Sequence, residues 1–240
     1  MIENHKYLIV GNGRLARHLK YYFDTLKIPY SEWERRSAIP FDEIASFSES
    51  ILLPIKDDAI IPFIDSHEIL KTKTVVHFSG ILSTGKAEGL HPLMTFPQKL
   101  YSADFYPKIC FVSEKNRPSL SEILPELPNP NLVIDRKDKV SYHAWLTMSG
   151  NFTTFIWDNL FNRLRDLGIS KNAVLPYLEK TVENLVKIEN PLTGPFVRGD
   201  LKTIEQHKQA LKEDEFGKIY NVFFETYKKI EENENNNRVY

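Results

Sequence analysis

The sequence predicts an α/β fold, with a mainly parallel, doubly wound sheet followed by an all-helical region. Up to about residue 137, short apolar segments that suit strands alternate with helical segments. Such alternation is typical of a parallel sheet covered by helices. From residue 138 onward the strand signals vanish and helical periodicity dominates. We therefore expect one domain at 1–137, a helical domain at 138–233 and a flexible tail at 234–240.

Composition narrows the class of protein. The chain has 240 residues, 42% of them hydrophobic and 26% charged, with a net charge of -1. These values are ordinary for a globular protein and give no reason to expect binding to nucleic acid or to an anionic membrane. No segment is long and apolar enough to span a bilayer, and the N-terminus does not resemble a signal peptide. Cys110 is the only cysteine, so we expect no disulfide, no cysteine-based metal site and a reducing cytoplasmic setting.

The first strand, at 7–10, leads through a glycine turn into a helix that we expect to end near residue 26. Gly11, Gly13 and Ala16 form G-x-G-x-x-A, the dinucleotide-binding fingerprint of Rossmann folds. The two glycines permit a sharp turn and close approach of a pyrophosphate, and alanine permits close packing of helix on sheet. Amide groups at the helix start would hold the anion. A strand, turn and helix without a ligand is the alternative. The predicted cofactor contacts here are Gly11, Asn12, Gly13, Arg14, Leu15 and Ala16.

The end of the second predicted strand, at 28–33, suggests which dinucleotide is bound. About 20 residues after the fingerprint, an NAD enzyme places a carboxylate against the ribose hydroxyls. Here Arg35, Arg36 and Ser37 cluster instead, and these groups suit a 2′-phosphate. NADP is therefore favoured over NAD, although Glu34 keeps NAD open. The alternative is a solvated basic turn.

Further strands are predicted at 50–54, 74–78, 108–113 and 132–134. Asp57 or Asp58 is expected to cap a helix that ends near residue 65. Because ligands bind beyond the carboxyl ends of parallel strands, His77 and Ser79 are predicted to line the nicotinamide end of a cofactor. A half-buried structural histidine is the alternative for His77. Two prolines make the segment 89–97 irregular, and its His91 would belong to a pocket wall.

Helices are predicted at 140–167, 172–188, 201–211 and 216–232, with Asp200 as the N-cap of the third. In the first of these, His143, Thr147 and Asn151 are spaced at i, i+4 and i+8 and form one polar stripe. We expect this stripe to face an interdomain cleft, where Tyr142, His143 or Asn151 donates a proton or a hydrogen bond. A polar seam between helices and a dimer contact are the alternatives. The apolar neighbours that we expect to be buried are Trp145, Leu146, Met148 and Phe152.

A tight loop at 192–200 precedes the third helix. Its Arg198 offers a planar guanidinium that suits a carboxylate or phosphate of the substrate. The alternative is an Arg198–Asp200 pair that only fixes the loop.

Several short motifs together resemble a known family. They are Gly11-x-Gly13-x-x-Ala16, Trp33-x-Arg35, His77-x-Ser79-Gly80, His91-Pro92-x-x-Thr95-Phe96, Tyr142-His143-Ala144, Ser149-Gly150-Asn151-Phe152, Thr193-Gly194-Pro195-x-x-Arg198-Gly199-Asp200, and His207. The set resembles Rossmann-like proteins that carry a C-terminal helical domain of unknown function. That family is similar to pyrroline-5-carboxylate reductases, to deazaflavin-dependent NADP oxidoreductases and, distantly, to the 6-phosphogluconate dehydrogenase group. The resemblance implies a helical domain of the 6-phosphogluconate dehydrogenase type and a homodimer, but no particular substrate.

One departure from the wider group restricts the mechanism. β-Hydroxyacid dehydrogenases of that group use a lysine four residues before an asparagine on the helix between the domains. Thr147 stands four residues before Asn151 here, and we expect no lysine on that face of the helix. The resemblance therefore disfavours that mechanism, and ketopantoate reductase with it.

Two functions remain. The first is an NADP-dependent oxidoreductase acting on a small carbonyl or imine, with His143 and Asn151 assisting proton transfer and Arg198 holding a substrate anion. The second is a non-catalytic NADP-binding sensor or scaffold, which the missing lysine favours. Aromatic residues of the last helix fit a homodimer interface and fit core packing nearly as well.

Overall fold

The structure of the chain, a computed structural model, describes residues 4–237, with side chains up to residue 234. Its centre is a five-stranded, fully parallel sheet in the order β2-β1-β3-β4-β5. The strands are β1 (Tyr7–Val10), β2 (Tyr30–Trp33), β3 (Ser50–Leu53), β4 (Thr74–His77) and β5 (Glu88–Gly89). The predicted α/β class with a mainly parallel sheet is confirmed.

A second, three-stranded sheet follows directly along the chain. It contains β6 (His91–Pro92), β7 (Phe111–Glu114) and β8 (Asn131–Ile134), with β6 antiparallel and β8 parallel to β7. Pro92 is tolerated because β6 is a two-residue strand at the sheet edge. Only Leu90 separates β5 from β6, and its amide donates to the carbonyl of His77 at 2.9 Å. The segment that the prolines made irregular therefore carries the chain from one sheet to the other.

Four helices accompany the strands: α1 (Arg14–Leu26), α2 (Phe41–Ser46), α3 (Asp57–Asp65) and α4 (Leu120–Ile123). Of these helices, α2 was not predicted. The prediction that an aspartate caps α3 is wrong, since Lys56 is the N-cap and both aspartates lie in the first turn. There their charges still favour the helix start. Asp57 also accepts a hydrogen bond from Ser79 Oγ at 2.6 Å.

Two hydrophobic clusters cover the two faces of the parallel sheet. Successive residues of β1 alternate between them, with Tyr7 and Ile9 in one cluster and Leu8 and Val10 in the other. This alternation follows from the two-residue period of a strand. Burying each large apolar side chain contributes about 1.5–3 kcal/mol. The sheet is therefore held firmly in place, and its carboxyl edge is a rigid platform.

The rest of the chain is helical. Its helices are α5 (Lys139–Thr147), α6 (Thr153–Asp166), α7 (Lys171–Lys187), α8 (Pro195–Arg198), α9 (Leu201–Ala210) and α10 (Glu215–Asn237). A π-helical turn, Met148–Phe152, joins α5 to α6, so the predicted helix at 140–167 is present with one irregular turn. Asp200 is the N-cap of α9 as predicted, accepting from the amide of Thr203 at 3.1 Å. α10 enters the predicted tail, whose residues 238–240 lie outside the described part of the chain.

By compactness the chain divides into two units, Met1–Asp158 and Asn159–Tyr240. The predicted boundary at 137/138 marks where strands end, whereas this division also assigns α5 and the start of α6 to the first unit. Among the residues described, no helix combines the length and apolar character needed to cross a membrane.

Candidate active site

A cleft of about 1510 Å³ opens above the carboxyl ends of the strands, and all of its wall residues belong to the first unit. Its wall includes residues that follow β2, β1, β3 and β5, which lie in that order across the sheet. Four strand spacings separate β2 from β5, or about 19 Å. The cleft is therefore long enough for an extended ligand lying across the sheet edge.

The glycine turn after β1 is built as the fingerprint predicts. Gly11 has φ +102°, and a Cβ there would lie 3.2 Å from Ile55 Cγ2, so both conformation and space favour glycine. Gly13 is the N-cap of α1, and a Cβ there would have no neighbour within 4 Å. The residues from Gly11 to Leu15 lie on the cleft wall, whereas Ala16 is fully buried behind them. The α1 amides thus face open space that suits an anion.

Four cations surround this end of the cleft: Arg14, Arg35, Arg36 and Lys56. Within residues 4–237, none of the four forms an ion pair with a carboxylate. Lys56 was not predicted, although its place directly after a strand was a usable signal. Ser37, predicted to join the arginines, is not on the wall, and its Oγ accepts from the amide of Ile39 at 3.3 Å.

The predicted polar stripe does face the cleft. His143, Thr147 and Asn151 are all wall residues, together with Ser149 and Gly150 of the π-helical turn. A π turn widens the helix locally, so neighbouring residues point to the same side, and such turns are frequent at functional sites. The stripe therefore supplies an amide, hydroxyls and an imidazole along one wall.

At the other end of the cleft, His91 and His143 lie with ring centroids 5.4 Å apart. A Cβ on Gly80, just after β4, would overlap the His143 ring, so the glycine allows this ring to pack on the backbone. Tyr142, predicted to contact the ligand directly, is not on the wall; its Oη lies 3.0 Å from His91 Nδ1. Burial, with smaller contributions from His143 and Lys139, lowers the pKa of His91 to about 4. Burial raises the pKa of Tyr142 to about 12.

His77 and Ser79 are not among the wall residues of the cleft, and their predicted contact with a nicotinamide stays a prediction. His77 is fully buried, and its Nδ1 accepts from the amide of Ser79 at 3.2 Å. Burial, and then the charge of Lys139, lowers the pKa of His77 to about 4. Ser79 Oγ donates to Asp57 and accepts from the amides of Ile81 and Leu82. Both side chains therefore build the turn after β4, which positions Gly80.

The expectation that no lysine lies on the polar face of the helix is wrong. α5 begins at Lys139, one turn before His143, and its ammonium group is 2.8 Å from Glu114 Oε1. The side chains of this pair are only 3% and 9% exposed. Burial by itself would raise the pKa of Glu114, but hydrogen bonds from Lys139 and Ser83 bring it below the usual value. Lys139 is not on the cleft wall, and its charge is already paired inside the protein.

Arg198 belongs to the second unit, where it ends α8. The Asp200 carboxylate accepts hydrogen bonds from the amide and hydroxyl of Thr203, at 3.1 and 2.7 Å. Within the described residues it forms no ion pair with Arg198, so the alternative of a loop-fixing pair is not observed.

Sheet, glycine turn and helical C-terminal part together define a Rossmann-type protein with a helical extension. A family model described as a domain of unknown function (DUF2520) matches residues 109–226. No protein with a curated description matches the chain.

Solved structures share the fold over nearly the whole chain. A Bacteroides fragilis protein assigned as an NADP oxidoreductase has a TM-score of 0.73 at 18% identity, covering 95% of this chain and 99% of that one. Plasmodium falciparum pyrroline carboxylate reductase with NADP bound has a TM-score of 0.59 at 17% identity, covering 95% and 97%. A reductive aminase from Aspergillus terreus in complex with NADPH has a TM-score of 0.64 at 14% identity, covering 94% of each chain. The recognised resemblance to Rossmann-type reductases is confirmed at the level of fold.

Proposed function

We propose that this chain is an NADP-dependent oxidoreductase that transfers a hydride to or from a small carbonyl or imine compound. The observation that supports it best is one cleft with two histidines at one end and, at the other, a glycine turn and four cations that form no ion pair within residues 4–237. The solved structures with this fold include reductases that bind NADP or NADPH. The reaction class is inferred from the names of these reductases, and the role of each residue is inferred from the cleft wall of this chain.

The residues present fit this cofactor. The open backbone at Gly11 and Gly13 would hold the pyrophosphate, and Arg35 and Arg36 would hold the 2′-phosphate. Arg14 and Lys56 would add positive charge beside the phosphates. NAD, which lacks the 2′-phosphate, would leave the arginines without a partner and is therefore the less favoured cofactor. When bound, the reduced nicotinamide supplies the hydride.

His143 and Asn151 would bind and orient the substrate beside the cofactor, since both side chains face the cleft. Arg198 would clamp an anionic group of the substrate. This role rests on its guanidinium chemistry and on the loop motif, because Arg198 belongs to the second unit and is not a wall residue of the cleft.

A homodimer is part of the proposal. Neither α6 nor α7 has a single buried residue, although α7 alone carries Leu185 and Val186 at 69% and 79% exposure. Monomeric proteins rarely expose large contiguous apolar patches. A second copy of the chain is the partner that would cover these helices.

Calorimetric titration with NADPH and NADH tests the cofactor. We expect the double variant Arg35→Ala/Arg36→Ala to lose at least about tenfold in NADPH affinity, because each charged hydrogen bond contributes about 1.5–3 kcal/mol. NADH affinity should hardly change. Arg165→Ala, which removes an exposed arginine of α6 that is not among the wall residues, is the control. No binding of either dinucleotide below millimolar concentration would end the cofactor claim, and preference for NADH would end the 2′-phosphate assignment.

Turnover separates an enzyme from a sensor or scaffold. NADPH oxidation would be followed with cyclic imines, keto acids and an oxidised deazaflavin. Turnover that falls strongly in His143→Ala and Asn151→Ala supports catalysis at this cleft. Tight NADPH binding without turnover of any compound would favour the sensor.

A further inference from the structure

The pair of His91 and Tyr142 combines a cleft-facing imidazole with a phenol behind it. This inference rests on the proposed reductase function and concerns the source of the proton. Seven titratable side chains stand among the described wall residues: Arg14, Glu34, Arg35, Arg36, Lys56, His91 and His143. Of these, His91 alone is hydrogen-bonded to another titratable side chain.

The pair is held rigidly. His91 begins β6, where it pairs with Val112 of β7, and Leu90 before it is fully buried. Tyr142 stands on α5, whose first turn is fixed to β7 through the buried Lys139–Glu114 pair. The two rings meet edge to face at 86°, with centroids 5.7 Å apart. Both partners therefore approach from elements packed on the same small sheet, and the 3.0 Å contact between Oη and Nδ1 is preorganised.

The two ring nitrogens of His91 have different surroundings. Nδ1 is engaged by Tyr142 Oη, whereas Nε2 has no protein partner among residues 4–237. A neutral imidazole carries one proton, so a phenol that donates to Nδ1 leaves the proton on Nε2. In that tautomer His91 presents an N–H donor to the cleft and has a proton source on its opposite side.

Other wall groups lack this arrangement. Within the described residues, His143 has no hydrogen-bond partner; its ring packs on Gly80 and on the edge of His91. Asn151 carries an amide, which orients a ligand but does not release a proton at neutral pH. These two residues suit binding and shape, and the proton has to come from elsewhere.

We propose that His91 is a catalytic residue that passes a proton from Tyr142 to the oxygen or nitrogen of the substrate's C=O or C=N bond. As hydride adds to carbon, the π-electron pair moves onto the oxygen or nitrogen, which takes the proton from Nε2. The Tyr142 Oη–H bond breaks, and its proton binds Nδ1. The products are an alcohol or amine, His91 in its other neutral tautomer, and a phenolate. Water then protonates the Tyr142 phenolate, leaving hydroxide, and His91 returns to the tautomer with its proton on Nε2.

The tautomer is measured without substrate or cofactor. A long-range ¹H–¹⁵N spectrum of the labelled protein at pH 7 should show His91 neutral, with its proton on Nε2. In Tyr142→Phe, which removes only the hydroxyl, the two tautomers should become mixed. A proton fixed on Nδ1 in the unmodified protein would make Tyr142 an acceptor and overturn the relay.

Kinetics supply the second readout, with 1-pyrroline and cyclohexanone as probes and NADPH as reductant. We expect kcat to fall about 10²-fold or more in His91→Ala, with partial rescue by added imidazole, because general acid catalysis contributes 10²–10⁴-fold. Tyr142→Phe should lower kcat and change its solvent isotope effect, while NADPH affinity stays unchanged. Tyr220→Phe is the matched control, since Tyr220 Oη also lies 3.0 Å from a histidine Nδ1, that of His207 in the second unit.

Different kinetic results would overturn the proton relay and the reductase function. If the unmodified protein reduces a probe and both variants keep its kcat, the relay is overturned and the reductase function stands. If the unmodified protein binds NADPH but reduces neither these probes nor the wider panel, the reductase function fails and the relay with it.

Discussion

The strand-rich region, 4–137, and the helical region, 139–237, bury their apolar side chains to very different degrees. In the first, both faces of the parallel sheet are covered by clusters of buried residues. In the described part of the second, the buried large apolar side chains are Ile204 and Phe224. Large apolar side chains of the helices are instead exposed, among them Trp145 at 67%, Leu167 at 73% and Val186 at 79%.

The difference bears on the proposed homodimer, because a second copy of the chain would cover apolar side chains in the helical region and not in the strand-rich one. A helix is stabilised mostly by packing of its apolar face rather than by its own propensity. α7 has 17 residues and buries none of them within this chain. If the proposed homodimer forms, stability measurements should depend on protein concentration for the helical region only.

The largest expected effect comes from two matched salt bridges, a buried one that ties α5 to the strand-rich region and an exposed one within the helical region. Lys139 and Glu114 are 2.8 Å apart and buried, whereas Lys187 and Glu183 are 2.8 Å apart and exposed. Lys139→Met leaves a buried carboxylate unpaired and should cost about 3–5 kcal/mol of unfolding free energy. Lys187→Met should cost no more than about 0.5 kcal/mol. Chemical denaturation of both variants checks this, and equal costs would contradict the burial contrast.

Acid should weaken the strand-rich region through its buried histidines. The pKa of His77 is lowered from 6.5 to about 4 in the folded protein, so the unfolded chain binds the proton more readily. The contribution of neutral His77 to the free energy of unfolding is therefore complete above about pH 6.5. It is lost as pH falls towards 4, a change of at most about 3 kcal/mol. His77→Asn keeps an acceptor near the Ser79 amide but does not titrate.

The measurement is the unfolding free energy of both proteins between pH 7 and 4. The loss on acidification should be smaller in His77→Asn, and parallel curves would contradict the assignment. Comparing the two proteins removes the contribution of the carboxylates that titrate in both.

A smaller effect is expected at the proposed dimer surface. Val186→Glu places a charge on the exposed apolar face of α7 and should weaken dimerisation by about 2 kcal/mol, or roughly 30-fold in Kd. Phe47→Glu changes a residue that is 40% exposed in the strand-rich region and is the control. Light scattering over a range of concentrations reports the mass. An unmodified protein that is monomeric at micromolar concentration would contradict the dimer.

The strand-rich and helical regions also differ in how well their structure could be predicted from the sequence. In the parallel sheet, β1 to β4 were predicted within about two residues because apolar runs such as 7–10 and 50–53 are buried on both faces within the chain, whereas the two-residue strand β5 was not predicted. The prediction that Trp145, Met148 and Phe152 are buried is wrong for the single chain, where they are 67%, 45% and 50% exposed. Periodicity shows that a helix has an apolar face but not which molecule covers it.

The candidate site was predictable where it depends on backbone and not where it depends on tertiary packing. The glycine turn, the two arginines and the stripe at 143, 147 and 151 all reach the cleft. His77 and Ser79 are not on the cleft wall, because strand position alone does not show which way a side chain points after the strand ends. Lys139 was missed because the predicted helix began one residue too late. The Tyr142–His91 contact joins residues 51 positions apart and has no local signal.

The π-helical turn Met148–Phe152 carries one residue more than an α-helix would need there. Deleting a single residue from it would restore regular winding and leave the later positions of α6 facing nearly as they do now, because the wider turn takes up the extra residue. Thr154 would stay on the cleft wall, and the change would fall on the wall residues of the turn itself, Ser149, Gly150 and Asn151. A one-codon deletion at this turn therefore alters which side chains the turn presents to the cleft without moving the strand ends that form the opposite wall.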